Sequence, residues 1–462
     1  MPTKNSQASP TYNVAKWAAK LEYDDLPQKV VQVAKYCFLD TIGVALAGLQ
    51  AQSVLKVKGY ANDNSSHGTS SIWGSAIKTT AELSALTNGT ACHALDYDET
   101  NYSSIGHPAA IIVPALLALS EEHQCQGRDL ITAFVAGYEV MGKLGATVNP
   151  STYHKGWWTT SLLGLTGAVV ACSRLLRIDI EEMVMAIGLG VSFASGLRSN
   201  FGTMAKPFGV GKTAMDGVMF SKLAKIGLTT ATDHLDADSL FLSLISDHAS
   251  LNALDDLGKP YELTNPGVAF KLYPSCSATH AAVDAILSLV KEYGFVADDV
   301  TSIICEITPL VNTSLIYTNP ANTEHARFSL EACVAMALCK GELDNSFFTG
   351  QNITDSKLRT VMGRVHRRVR NDFSSGQNAG SSPPNEATRL IVSLNDNQTF
   401  DKTVLFAKGN NDNPLSGSEL ENKFNTVTQD CIPCGKAAIF SRMVLDLESL
   451  QDTRDLTDCL CC

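Results

Sequence analysis

CHALDYDETNYSSIGHP, residues Cys92–Pro108, runs without a break into AAIIVPALLAL, residues 109–119. The first part concentrates His93, Asp96, Asp98, Glu99, Thr100 and His107, and the second is apolar enough for a packed helix. A dense polar turn docked on a buried element presents acid, base and hydrogen-bonding groups at the floor of a pocket, so the stretch is read as a site in a helical body. The competing reading is structural, because Asp and Thr ahead of a helix often serve as caps. A calcium loop is excluded by position. After Asp96, Asp98 and Thr100 the sixth place holds Asn101 where Gly is needed, and the twelfth holds His107 where Glu is needed.

Upstream, Val14, Trp17, Ala18 and Leu21 form a helical stripe. Asp24, Asp25 and Pro27 then signal a second helix carrying Val30, Val33, Ala34, Cys37 and Phe38. A further helix through Ala81–Ala91 delivers the polar turn. Downstream, helical periodicity returns over residues 129–144, 160–176 and 180–196, with many small residues and few charges. These features predict a mostly helical first domain with helices covered on all sides.

NFGTMAKPFGVGKTAMDG, residues 200–217, invites a phosphate-loop reading that fails, since the glycine required five places before Gly211 is Lys206. Gly209, Gly211 and Ala214 imitate a dinucleotide fingerprint, but no apolar strand precedes them. What remains is Lys206 and Lys212 beside a glycine-rich turn opening a helix, read either as a carboxylate anchor or as two solvated surface lysines.

The texture changes near residue 268. KLYPSCSATH, residues 271–280, leads into a helix over 281–293, and residues 300–309 alternate like a strand. A helix over 331–338 follows, then two strands, 388–394 and 398–405, around the hairpin signal Asn395-Asp396-Asn397. The fold class expected is mainly α with an inserted α+β domain: residues 1–267 and 406–462 form the helical body and 268–405 the smaller lid domain.

The 462 residues suffice for such a pair of cores, and a net charge of −11 argues against general affinity for nucleic acid or anionic membrane. The opening MPTKNSQASP lacks an apolar signal core, and runs such as residues 109–119 are short for a membrane span. A soluble, cytoplasmic protein is expected. Cys37, Cys172, Cys333 and Cys339 sit on apolar faces, as reduced core thiols do. Cys431 and Cys434 form one isolated CxxC, a weak zinc signal, and the tail Cys459–Cys462 is read as a frayed end.

Taken together, HALDYDET, GHPAA, GTMAKPFGVG, KLYPSCSATH and YTNPANTEHARFSLE, in this order, resemble the MmgE/PrpD family over about residues 12–450. Its members include 2-methylcitrate dehydratases, cis-aconitate decarboxylases and iminodisuccinate epimerases. The resemblance implies a large helical domain with an inserted α+β lid, a homodimer, a site in the cleft between domains, and no metal, flavin or nicotinamide cofactor. It places Asp96, Thr100 and His107 in the polar turn lining the pocket. It further implies that Lys206 faces the substrate, that Lys271 and His280 belong to the second conserved segment, and that Tyr317 precedes a helix of the second domain.

Two departures stand out. Where relatives of decarboxylase and epimerase type often carry histidines, this chain has Trp158 and Gly209. The family's reactions move a proton on a carbon beside a carboxylate, which requires cations for the carboxylates, a base and an acid. Lys206, Lys271 and Lys212 are expected to supply the cations and His107 the base, with Asp96 orienting it or acting itself. Tyr317 or His280 is expected as second proton carrier. Trp158 and Gly209 are expected to reshape the pocket for a substrate with an apolar arm. The leading expectation is a cofactor-free lyase dehydrating a 2-alkylcitrate-like acid. Decarboxylation of an aconitate-like acid or epimerisation of a polycarboxylate are the alternatives, with an inactive acid-binding relative as the reading from another class.

Overall fold

Gln28–Gly48 is a helix of 21 residues, long and apolar enough to cross a membrane, yet 78% of its most apolar window is buried inside the protein. It packs against Ala81–His93 and against two C-terminal helices, Gly417–Thr428 and Cys434–Leu445, so its composition is that of a central core helix. The computed structural model describes residues 9–461 except 66, 237–238, 373–384 and 432–433. Pro108–His123 and Gly127–Val148 pack on this central helix, and Thr159–Leu175, Ile180–Ser192 and Ala205–Lys225 pack in turn on these and on one another, each with a largely buried surface.

The GVGKT stretch is helix, a correction to the turn expected there. Ala205–Lys225 runs straight through it and crosses Ala81–His93 at close range. Small residues make that crossing possible: a Cβ on Gly89 would lie 2.9 Å from the Gly211 Cα, and one on Gly211 would collide with the Leu86 carbonyl oxygen and the Thr90 hydroxyl. Gly211→Ala is therefore expected to destabilise the fold by about 2 kcal/mol, since the backbone it meets cannot rotate away and overpacking outweighs the gain in helix propensity. Chemical denaturation checks this, and unchanged stability would mean that the two helices separate freely.

The C-terminal helices return to the first body through a buried ion pair. The Lys423 ammonium lies 2.6 Å from Asp40 and donates to the Tyr97 carbonyl at 3.0 Å. Through Cys461 the tail is packed, against the expectation of a frayed end, and Cys462 lies outside the described residues. Leu460 is fully buried, its carbonyl accepts from the Gly74 N–H at 2.8 Å, and Lys436 donates to the Cys461 carbonyl at 2.7 Å. Cys37, Cys172 and Cys333 are buried free thiols. Of the isolated CxxC, Ile432, Pro433 and the Cys434 side chain lie outside the described residues.

The second body holds a four-stranded mixed sheet in the order Val365–Val369, Val300–Ile307, Thr388–Leu394, Thr399–Val404. The last three are antiparallel neighbours, with Ile304 opposite Ile391 and Ile391 opposite Asp401. Val365–Val369 joins in parallel, with Ile303 opposite Val365. Its charged sequence concealed it: Arg367 turns inward to a bidentate pair with Glu331, at 2.6 and 2.7 Å, where an apolar residue was needed for the pattern. His280–Tyr293 and Leu330–Lys340 pack with the sheet. One apolar core thus runs from Val14 to Phe270 and resumes from Leu415 to Leu460, while another spans Tyr273 to Val392. Phe328 belongs to the first core although its neighbours belong to the second, which brings the two bodies together beside the polar turn.

Candidate functional site

The helix Ala81–His93 ends at the polar turn, and Asp96 takes a left-handed backbone at φ 50°. This conformation is uncommon for a residue with a side chain and is held here by contacts on both sides. Thr100 exchanges backbone hydrogen bonds with Ala269 at 2.8 and 2.9 Å, tying the turn to the start of the second body. Glu99 is the cap: it accepts from the Ala109 N–H at 2.7 Å at the start of Pro108–His123, and from Tyr138 at 3.3 Å. Burial keeps its pKa well above the usual carboxylate range. One acid of the stretch is therefore structural, leaving Asp96 and Asp98 for the site.

Asp96 lies between two ammonium groups, Lys271 at 2.5 Å and Lys206 at 3.2 Å, and Lys271 also donates to the Asp96 carbonyl at 2.9 Å. Burial acts to raise the Asp96 pKa, but the two lysines outweigh it and hold the group well below its ordinary value. Asp98 is fully buried and meets His93 Nδ1 at 2.8 Å and His107 Nδ1 at 3.5 Å. With Nδ1 of His93 donating to that carboxylate, Nε2 is left as acceptor for the Lys206 ammonium, with which it is in direct contact. Burial lowers the Lys206 pKa, Asp96 opposing and Lys271 adding to the shift.

His107 has a different partner. Its Nδ1 lies 2.6 Å from the Glu99 carbonyl oxygen, which can only accept, so Nδ1 carries the proton and Nε2 keeps a free lone pair. Burial drives the His107 pKa down to about 3, against Asp98 and with help from Lys271. The turn and the start of the helix Ala205–Lys225 therefore bring a neutral base and a hydrogen-bonded ammonium acid into one cluster.

The cluster opens into a cavity of about 60 Å³ lined by Asp96, Thr100, His107, Trp158, Lys206 and Lys271, with Phe201, Cys276, Phe328 and Glu386 completing its wall. Lys206 Nζ lies 5.1, 5.2 and 5.0 Å from the ring centroids of Trp158, Phe201 and Phe328, an aromatic surround that favours a cation. Trp158 is 3% exposed, and a Cβ added to Gly209 would lie 2.9 Å from its Cζ3. The two departures noted in the sequence are thus coupled: the indole lies over a glycine and fills the space beside it. The apolar room expected there for a substrate arm is absent, because the ring occupies it.

The remaining expected residues lie elsewhere. Tyr317 donates to the Phe201 carbonyl at 2.8 Å and stacks on His325 outside the cavity lining. His280 stands 3.3 Å from the Ser275 carbonyl and edge-on to Tyr273, facing a neighbouring chamber. Lys212 pairs with Asp216 on a half-exposed helix face. Conversely, His93 and Asp98 were visible in the decisive stretch without an assigned role. Phe201, Phe328 and Glu386 carried no local signal, since they converge only in three dimensions. Arg327 was equally silent. It is buried and donates to the carbonyls of Leu95 and Pro274, joining the second body to the residue before Asp96.

Ligand atoms of His93, Asp98 and His107 lie within 4.8 Å of one another, a spacing that a metal could use. The surrounding chemistry does not fit a dication. Nδ1 of each imidazole is already engaged, with Asp98 and with the Glu99 carbonyl, and Lys206 and Lys271 bring two positive charges to the same cluster.

Sequence comparison finds relatives that align over nearly the whole chain. The chain is 27% identical over 458 residues to the cis-aconitate decarboxylase of Mus musculus, covering 95% of this chain and 90% of that protein. The Homo sapiens cis-aconitate decarboxylase is also 27% identical, with 95% and 92% covered. The cis-aconitate decarboxylase of Aspergillus terreus (strain NIH 2624 / FGSC A1156) is 23% identical over 484 residues, with 99% and 97% covered. The family model for the MmgE/PrpD N-terminal domain matches residues 12–254, and that for the C-terminal domain matches residues 273–449. With nearly all of both bodies so matched, the chain belongs to the MmgE/PrpD family.

Proposed function

We propose that the protein is a cofactor-free lyase acting on a small polycarboxylic acid, and that its reaction is the elimination of water from a 2-alkylcitrate-like substrate. The observation that carries this reading is the pairing of His107, neutral with Nε2 free, and Lys206, an ammonium backed by His93 and Asp98, on one cavity. Lys271 and Lys206 receive substrate carboxylates and offset the charge that develops as the neighbouring C–H bond breaks. His107 Nε2 takes that proton. Lys206 gives one to the departing hydroxide, which leaves as water, and the carbon–carbon double bond forms from the C–H electron pair. His93 is a positioning residue that fixes the Lys206 ammonium.

A second reading is decarboxylation of an aconitate-like acid, favoured by the names of the similar proteins. A carboxylate set against Trp158, Phe201 and Phe328 would be poorly solvated there, which favours loss of CO2. The homodimer belongs to the same proposal, and the exposed apolar side chains Phe193, Leu197, Met204 and Phe208 support it.

Proton NMR in D2O with purified protein and citrate, 2-alkylcitrates, cis-aconitate and iminodisuccinate tests the reading. An alkene formed with loss of water is expected from a 2-alkylcitrate. A decarboxylated product would transfer the protein to the second reading. Deuterium entering an unchanged substrate would indicate epimerisation, and binding without turnover of any acid would sink the lyase reading.

A further inference from the structure

The cavity of about 60 Å³ has room for about two waters, too little for more than the reacting part of a tricarboxylate. Beyond Thr100, Tyr102, Lys271, Ser277, Asn385 and Glu386, which line both spaces, lies a chamber of about 380 Å³, the size of a small-molecule site. Glu386 stands at the partition, accepting from Tyr102 at 3.0 Å and from Ser277 at 2.6 Å. Thr100, 5% exposed, faces both spaces, and its hydroxyl has no hydrogen-bond partner among the described residues.

The chamber's own charges are already neutralised. Lys143 lies 3.8 Å from both Glu139 and Glu262 and donates to the Pro260 carbonyl at 3.1 Å. Lys408 lies 3.1 Å from Glu419 and 3.0 Å from the Pro414 carbonyl. Pro260, Phe270, Leu405, Phe406 and Ala407 supply apolar wall. Apart from Lys271 at the shared boundary, a second carboxylate would find no unpaired cation among the chamber's described lining residues and would face the Glu386 carboxyl, whereas an uncharged chain would bury itself against the rings and aliphatic groups. Trp158 fills the space over Gly209, and the space that adjoins the catalytic cavity at Asp96, Lys206 and Phe328 is only about 30 Å³, so the room for a substituent lies on the Thr100 side.

We propose that this chamber binds an uncharged alkyl arm of the substrate, several carbons long, while Lys206 and Lys271 hold the reacting carbon and its carboxylates at the catalytic cavity and its boundary with the chamber. This rests on the lyase reading for the identity of the reacting part. It adds that the enzyme selects acids by the length of their apolar arm.

The experiment is calorimetric binding, followed by turnover, of citrate, 2-methylcitrate and 2-alkylcitrates of increasing length with the full chain. Affinity is expected to rise about fourfold per added methylene until the chamber is full. Ala407→Trp, which fills the chamber without touching the catalytic cluster, should weaken long-armed acids tenfold or more and leave citrate within twofold. Phe406→Ala, which removes wall, should flatten the gradient and serves if the tryptophan variant does not fold. Affinity independent of arm length, or equal losses for citrate and long-armed acids in Ala407→Trp, would overturn the proposal. Turnover of arm-less acids with no gradient leaves the lyase reading standing and removes the chamber. A full gradient without turnover keeps the chamber and removes the lyase reading, and absence of binding throughout the series removes both.

Discussion

Lys206→Met is expected to lower kcat/KM about ten-thousandfold while leaving the protein folded. Methionine matches the length of the lysine stem and packs well against aromatic rings, so the surround of Trp158, Phe201 and Phe328 should close on it without a cavity. Asp96 retains Lys271 at 2.5 Å and is not left as an unpaired buried charge. What disappears is chemical. One cation facing the developing negative charge contributes about a hundredfold to a thousandfold, and a positioned acid contributes about a hundredfold or more again. Steady-state kinetics with the substrate identified by NMR, together with a thermal melt, checks both halves. A loss below tenfold would reduce Lys206 to an anchor for the ground state.

His107→Asn is the second large effect, about a thousandfold in kcat with KM nearly constant. The asparagine amide can reproduce the Nδ1 hydrogen bond to the Glu99 carbonyl, at 2.6 Å in the native protein, but has nothing in the place of Nε2. The same variant isolates a pH dependence. The His107 pKa is held at about 3 in the folded protein against 6.5 in its absence, so between those values the unfolded chain binds the extra proton. The native residue's contribution to stability is then complete above 6.5 and is lost as pH falls toward 3. The stability difference between native and variant protein should accordingly shift in favour of the native protein by about 1.4 kcal/mol per pH unit on going from pH ~4 to ~6, and then level off. A difference that does not vary with pH would show that His107 titrates normally, and retention of kcat would place the base elsewhere.

Most of the architecture was legible because helical periodicity is a local signal. The helices around residues 28–48, 81–93, 127–148 and 280–293 announced themselves through apolar spacing and small residues. Three strands were readable by alternation. Val365–Val369 was not, because its inward position is an arginine paired with Glu331. GVGKT was misread as a turn because glycine signals backbone freedom and close helix packing alike, and only the partner helix decides between them. In the site, Asp96, Thr100, His107, Lys206 and Lys271 converge as polar residues of a few dense segments can. Lys212 is carried to another face by helical geometry, six residues after Lys206. Phe201, Phe328 and Glu386 were silent because a pocket wall is assembled from distant segments, each of them ordinary by itself.

The seating of the Trp158 indole on Gly209 also constrains how this pocket can change over time. Any side chain acquired at 209 meets the ring at once, whereas replacing Trp158 by something smaller leaves a void that position 209 can then fill. The two positions form a ratchet with a preferred order: a lineage or an engineer introducing larger side chains at 209 must pass through 158 first. The reverse order leads through an overpacked intermediate, so each residue is neutral or harmful according to what already occupies the other.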